Sequence, residues 1–126
     1  MTTERTDVVV VGAGQAGIAM SAHLTQAGIP HLVLERDRIA ERWRSQRWDS
    51  LVANGPAWHD RFPDLEFRSD REGFPGKDEV ADYMVAYAEK HRAPVRTGVE
   101  VTRLARLEGR PGFRIETRAK DGASGV

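Results

Sequence analysis

Val8, Val9, Val10 and Val11 form an unbroken β-branched run that stops at Gly12. A strand apolar on both faces belongs in the middle of a parallel sheet, covered by helices on either side. Gln15 to Gln26 then reads as a helix rich in Ala, Met and Leu, closed by Ala27-Gly28. Gly28 suits the left-handed position past a helix end, and Pro30 bars further helix. His31-Leu32-Val33-Leu34-Glu35 is a second short strand, so strand, glycine turn, helix and strand make a βαβ unit. The stretch from Arg36 to Gly76 is rich in Arg, Asp, Trp and Pro and weakly periodic, apart from a short helix expected near Ile39 to Arg44. So long an irregular segment in a compact domain wraps a ligand or covers a core. From Lys77 the helical period returns: Val80, Tyr83, Met84, Tyr87 and Ala88 share one face, and Pro94 ends the pattern. Val95 to Thr97, Val99 to Leu107 and Phe113 to Thr117 alternate like strands, with a turn at Gly109-Arg110-Pro111-Gly112. Lys120 to Val126 shows no pattern, which divides the chain into a domain over residues 1–118 and a disordered or non-native tail over 119–126.

Composition narrows the classes. The chain has 126 residues, one ordinary domain, and 19 basic residues balance 19 acidic ones. Zero net charge argues against a nucleic-acid binder and against a polybasic membrane anchor. Val, Leu, Ile and Phe number 27, just above the level at which disorder becomes the default. There is no cysteine, which excludes disulfide scaffolds, thiolate metal sites and thiol redox chemistry within these residues. The Val8 to Val11 run is far too short to span a bilayer, and the polar Met1 to Asp7 predicts no signal peptide. A cytoplasmic domain without nucleic-acid or membrane partners is the expectation.

Gly12-Ala13-Gly14-Gln15-Ala16-Gly17 is a G-x-G-x-x-G directly after a strand and opening a helix. Gly12 allows the tight turn, Gly14 lets a pyrophosphate approach the backbone, and Gly17 permits close packing of helix on strand. Free N–H groups and the positive dipole end at the helix start then bind the diphosphate. Eighteen residues past Gly17, Glu35 ends the second strand, where a carboxylate can accept hydrogen bonds from the adenosine ribose. It would repel a ribose 2′-phosphate, an effect that Arg36 next door weakens, so the site calls for NAD or FAD. A glycine-rich turn beside an unrelated surface glutamate is the rival reading. His23, His31, His59 and His91 lack metal-ligand spacing, no metal site is expected, and most of them should sit on surfaces or helices.

Val8 to Gly17, Leu34-Glu35-Arg36, Arg42-Trp43-Arg44, Arg47 to Asn54, Phe74-Pro75-Gly76-Lys77, the Tyr83–Ala88 helix and Arg96 to Val101 carry a further signal. Together they resemble the N-terminal part of class B flavin-dependent monooxygenases, the group of flavin-containing monooxygenases, YUCCA-type enzymes and CzcO-like flavoproteins. The resemblance implies a Rossmann-like FAD/NAD(P)-binding domain of α/β class, with an incomplete parallel sheet and a small antiparallel β element. It implies that Gly12, Ala13, Gly14, Gln15, Ala16 and Gly17 surround the FAD pyrophosphate, that Glu35 and Arg36 meet the adenosine end, and that Arg42 and Trp43 contact the flavin side. Asn54 would stand near the flavin ring as the catalytic residue supporting the oxygenated flavin, and Val101 would pair its backbone with the adenine edge. Relatives carry two glycines where Ala40-Glu41 stand here. Read alone, Trp43 and Trp48 are packing aromatics, Asn54-Gly55 is a turn and Val101 is a strand residue. Arg42, Arg44 and Arg47 among the tryptophans could also form a single-strand nucleic-acid platform, against which Asp49, Asp60 and Asp64 argue.

A flavin monooxygenase also needs a site for NADPH, so that hydride reaches flavin N5 and oxygen adds at C4a. No second G-x-G-x-x-G occurs here, so that site is expected mostly outside this chain. The expectation is therefore the FAD-binding portion of an NAD(P)H- and O2-dependent oxygenase of a small nucleophilic or carbonyl substrate, catalytically incomplete by itself. A homodimer, or association through the unfinished sheet edge, would follow from the missing strands. The alternatives are an NAD-binding dehydrogenase module and a non-catalytic nucleotide-binding fragment that joins a partner.

Overall fold

The computed structural model describes residues 3–68 and 70–120 and the backbone of residues 124–125. β1 (Val8–Val11), β2 (His31–Glu35) and β3 (Val95–Thr97) form a parallel sheet in the order β1-β2-β3, with α1 (Gln15–Gln26) crossing between the first two. Val10 pairs with Val33 and Val33 with Val95, so a row of valines crosses the sheet at its most buried point. The valine run predicts a central strand, but the centre among the described residues is β2, and β1 is an edge with Val11 exposed. Apolarity on both faces reports the cover a strand is suited to; no described strand lies on the far side of β1.

α4 (Lys77–Lys90) is the spine of the domain. Tyr87 and Ala88 pack with Ala13, Ile18, Ala22 and Val33 against the sheet, while Val80, Ala81 and Met84 pack with Ala40 and Ala53 of the long segment. Its apolar face is the one the spacing predicts, widened by Ala81. His31, unlike a surface or helix histidine, is buried at the start of β2: Nδ1 lies 2.9 Å from the Ile29 carbonyl and Nε2 2.8 Å from Ser21 Oγ, which pins α1 to the sheet.

The segment from Arg36 to Gly76 covers this spine. It contains α2 (Glu41–Ser45) and α3 (Ala57–Asp60), and its two arms run side by side. The Ala53 N–H donates to Pro75 O at 2.7 Å, the Ala57 N–H to Gly73 O at 2.8 Å, and the Lys77 N–H to Leu51 O at 3.0 Å. Phe67 stacks on Tyr83 with centroids 4.0 Å apart, and Phe62 meets Tyr87 edge-on at 4.9 Å. The Tyr83 hydroxyl accepts from the Phe62 N–H at 2.7 Å and donates to the Leu65 carbonyl. Burial pushes that phenol up.

β4 (Val99–Arg106) and β5 (Phe113–Ala119) form the antiparallel element, with a bulge between Val101 and Arg103. β5 continues past the expected stop at Thr117 to Ala119, and β6 (Ser124–Gly125) pairs with Thr117 and Arg118. Residues 121–123 and 126 of the expected tail lie outside the described residues.

Candidate dinucleotide-binding site

The chain leaves β1 through Gly12, whose φ of +99° is one that L side chains rarely adopt, and whose N–H donates to Leu34 O at 2.8 Å. Gly17, one turn into α1, lies so close that a Cβ there would sit 1.9 Å from the Gly12 carbonyl oxygen. Gly14 is the opposite case: a Cβ built on it meets nothing within 4 Å, so its lack of a side chain leaves space open in front of the loop. Gly14 is also the N-cap of α1 and gives no side-chain cap, and the first turn carries no acidic residue. The leading amides of α1 are thus free of both usual local partners, which suits an anion from outside.

Glu35 sits at the end of β2, buried beside this loop. Its Oε1 accepts the Ala13 N–H at 2.9 Å and its Oε2 the Asp37 N–H at 2.7 Å. The carboxylate therefore ties the glycine loop to the turn leaving β2. An ionised carboxylate has about four acceptor positions, so two remain for a further donor.

α2 is brought to the same place by Ala40. Its backbone is left-handed at φ +60° and ψ +30°, and its N–H donates to Ala13 O at 2.9 Å. This is one of the two positions where the resembling sequences carry glycine. Alanine keeps the path at a cost of about 1–2 kcal/mol in backbone preference, with its methyl buried against Met84 and Ala81. The far face of α2 is held by protein: Arg44 reaches Asp82 at 2.6 Å, and Lys77 Nζ reaches the Arg44 carbonyl at 3.2 Å. Arg38 binds Glu41 through two nitrogens at 2.6 and 2.9 Å and holds its carboxyl down at about 2.

These parts enclose an open cleft of about 720 Å3. Gly12, Gly14 and Gln15 form one wall, and Glu35, Arg36 and Asp37 the floor. Arg42 and Trp43 stand at the α2 end, and Val99, Glu100 and Val101 of β4 close the far side. Ala13 and Gly17 act from behind, through the Glu35 bond and the helix–loop contact. Ala16 is exposed and does not border the cleft. Asn54 is not brought to it either: it is exposed in the turn before Pro56, where the neighbouring Gly55 N–H is tied to Asp60 at 2.8 Å. Among the bordering residues that the sequence did not mark as cofactor contacts are Gln46 and Arg47. Both lie past the end of α2 at Ser45, so no helical spacing from Arg42 and Trp43 announces them. No group of acidic and histidine residues that could hold a metal is found among the described residues.

Comparison with known proteins decides the family. The sequence profile described as pyridine nucleotide-disulphide oxidoreductase matches residues 9–124. The chain belongs to this family. As a cysteine-free member, it has no dithiol within these residues to perform the disulphide chemistry of the family description. It is 41% identical over 99 residues to an uncharacterized CzcO-like oxidoreductase of Geobacillus kaustophilus, an alignment covering 78% of this chain and 28% of that protein. It is 38% identical over 98 residues to the indole-3-pyruvate monooxygenase YUCCA1 of Oryza sativa subsp. japonica, covering 77% and 24%. The structure of the S-allyl-L-cysteine S-oxygenase of Allium sativum superposes with a TM-score of 0.82 at 25% identity, covering 99% of this family member and 34% of the oxygenase. The chain thus spans about a third or less of the proteins it matches. No described helix is long and apolar enough to cross a membrane.

Proposed function

We propose that this chain binds FAD in the cleft and is the FAD-binding portion of an NAD(P)H- and O2-dependent flavoprotein monooxygenase. The observation that carries the reading is the open cradle at Gly14, with unpartnered α1 amides on one side and the clamped Glu35 carboxylate on the other. FAD fits that donor set. The amides suit its pyrophosphate, the spare acceptor positions of Glu35 suit two ribose hydroxyls, and backbone groups at Val99–Val101 suit the adenine edge. Arg42 and Trp43 would then meet the flavin side, in a cleft of a volume ordinary for cofactors. Bound flavin would supply the electron transfer and oxygen activation that no side chain can. The protein's part is to hold the pyrophosphate, orient the ribose and present the ring.

The monooxygenase class rests on the named relatives, two of which are oxygenases. A small nucleophilic or carbonyl substrate, a nicotinamide dinucleotide site mostly outside this chain, self-association through the β1 edge and a cytoplasmic setting complete the reading. Titration of the purified chain with FAD and with NAD, followed by tryptophan fluorescence, tests it. FAD is expected to bind at least about tenfold more tightly than NAD. Equal or tighter NAD binding would instead establish a dehydrogenase-type nucleotide module. Asn54→Ala, lying outside the cleft, should leave FAD affinity unchanged.

A further inference from the structure

The cleft holds an imbalance of charge that the FAD reading has not used. Each of its carboxylates is engaged. Both Glu35 oxygens accept backbone N–H groups, and Asp37 is met by Lys120 Nζ at 2.8 Å and Arg36 Nε at 3.4 Å. Glu41 is paired with Arg38, and Glu100 with Arg118 at 3.1 Å. Arg47, on the α2 side, makes no ion pair with any described carboxylate. Its guanidinium carbon instead lies 5.2 Å from the centroid of the Trp43 ring, and both residues border the cleft that Gly12 and Gly14 also border.

We infer that Arg47 is a ligand for the diphosphate, held ready by Trp43. The inference rests on the FAD reading and adds a residue to it. A helix start offers a phosphate pair only neutral N–H groups and a partial charge. Two negative charges brought into the cleft are stabilised further by a full cation beside the amides. A guanidinium is the better cation, because its planar fork matches two phosphate oxygens and it sheds water more readily than an ammonium. Stacking on the indole limits the rotamers of an otherwise exposed side chain, so less freedom is lost when the ligand arrives. Trp43 thereby gains a second role, as the positioning residue for Arg47.

The test compares Arg47→Met and Arg47→Lys with the unsubstituted chain, using FAD, ADP and adenosine as probes in calorimetric titrations. Methionine keeps the apolar stem over Trp43 and removes the charge. Arg47→Met should weaken FAD and ADP about tenfold, the scale of one charge-assisted hydrogen bond, and leave adenosine unchanged. Its ADP affinity should also fall less steeply with salt, one phosphate contact having gone. Arg47→Lys should recover part of the loss. Unchanged ADP affinity in Arg47→Met, with FAD still bound, overturns the inference and leaves the FAD reading standing. An equal loss for adenosine also overturns it, since the side chain would then act on the shape of the cleft. If the unsubstituted chain takes up neither FAD nor ADP, the FAD reading itself falls, and the Arg47 role with it.

Discussion

Gly14 and Gly17 separate what the fold needs from what the ligand needs, within one turn of chain. A methyl on Gly17 would collide with the Gly12 carbonyl, a backbone atom that cannot move without opening the β1–α1 turn. Gly17→Ala should therefore destabilise the chain by about 3 kcal/mol or more, read from urea unfolding. A methyl on Gly14 meets no protein atom and projects into the space proposed for pyrophosphate. Gly14→Ala should unfold within about 0.5 kcal/mol of the parent and lose at least about tenfold in FAD affinity. If both variants lost stability alike, the open cradle at Gly14 would not exist in solution. At this scale the glycine fingerprint was legible because its spacing encodes a steric rule. Arg47 and Gln46 were not, because their place depends on α2 being turned toward the loop, and that turn is set by Ala40 in a conformation alanine rarely adopts. Asn54 lies outside the lining of this cleft, and its expected place near a flavin ring rests on the resemblance, since no spacing rule ties it to the glycine loop.

Among the elements, the regular ones were read almost to the residue and the long segment was not. α1, β1 and β2 follow from apolar period, a closing glycine and a following proline. The arms between Arg36 and Gly76 are held by non-local bonds, such as Ala53 to Pro75 and Trp58 to Arg71, which no local period announces. Part of their attachment to α4 runs through one phenol. Tyr83 gives the Phe62 N–H its acceptor and the Leu65 carbonyl its donor, while its ring stacks on Phe67. Tyr83→Phe keeps the stack and strands both backbone groups, which should cost about 1–3 kcal/mol. Local loosening should precede global unfolding, so amide exchange at Phe62 and its neighbours should rise more than exchange in β2. Uniform acceleration across the chain would mean that the phenol supports the core as a whole and not the covering segment.

For the whole molecule, the unresolved tension lies at β1. Its sequence is that of a strand with neighbours on both sides, yet among the described residues only β2 pairs with it. The Gly12 N–H reaches Leu34 O, so by alternation Val8 and Val10 direct their N–H groups toward β2, while Val9 and Val11 direct theirs outward. An apolar, unblunted row of donors and acceptors invites another strand. The α/β class was legible because it depends on the order of periods along the chain; which strand is central was not, since strand order is set by pairing between distant segments that no local period announces. The isolated chain should accordingly show concentration-dependent self-association in sedimentation velocity. Val9→Pro removes one outward donor without touching a β1–β2 bond, a substitution an edge strand tolerates. That variant should stay folded, keep FAD binding and sediment as a monomer. Continued self-association of a folded Val9→Pro chain would move the contact away from β1, to another surface such as the exposed Leu104 and Phe113 of the antiparallel hairpin.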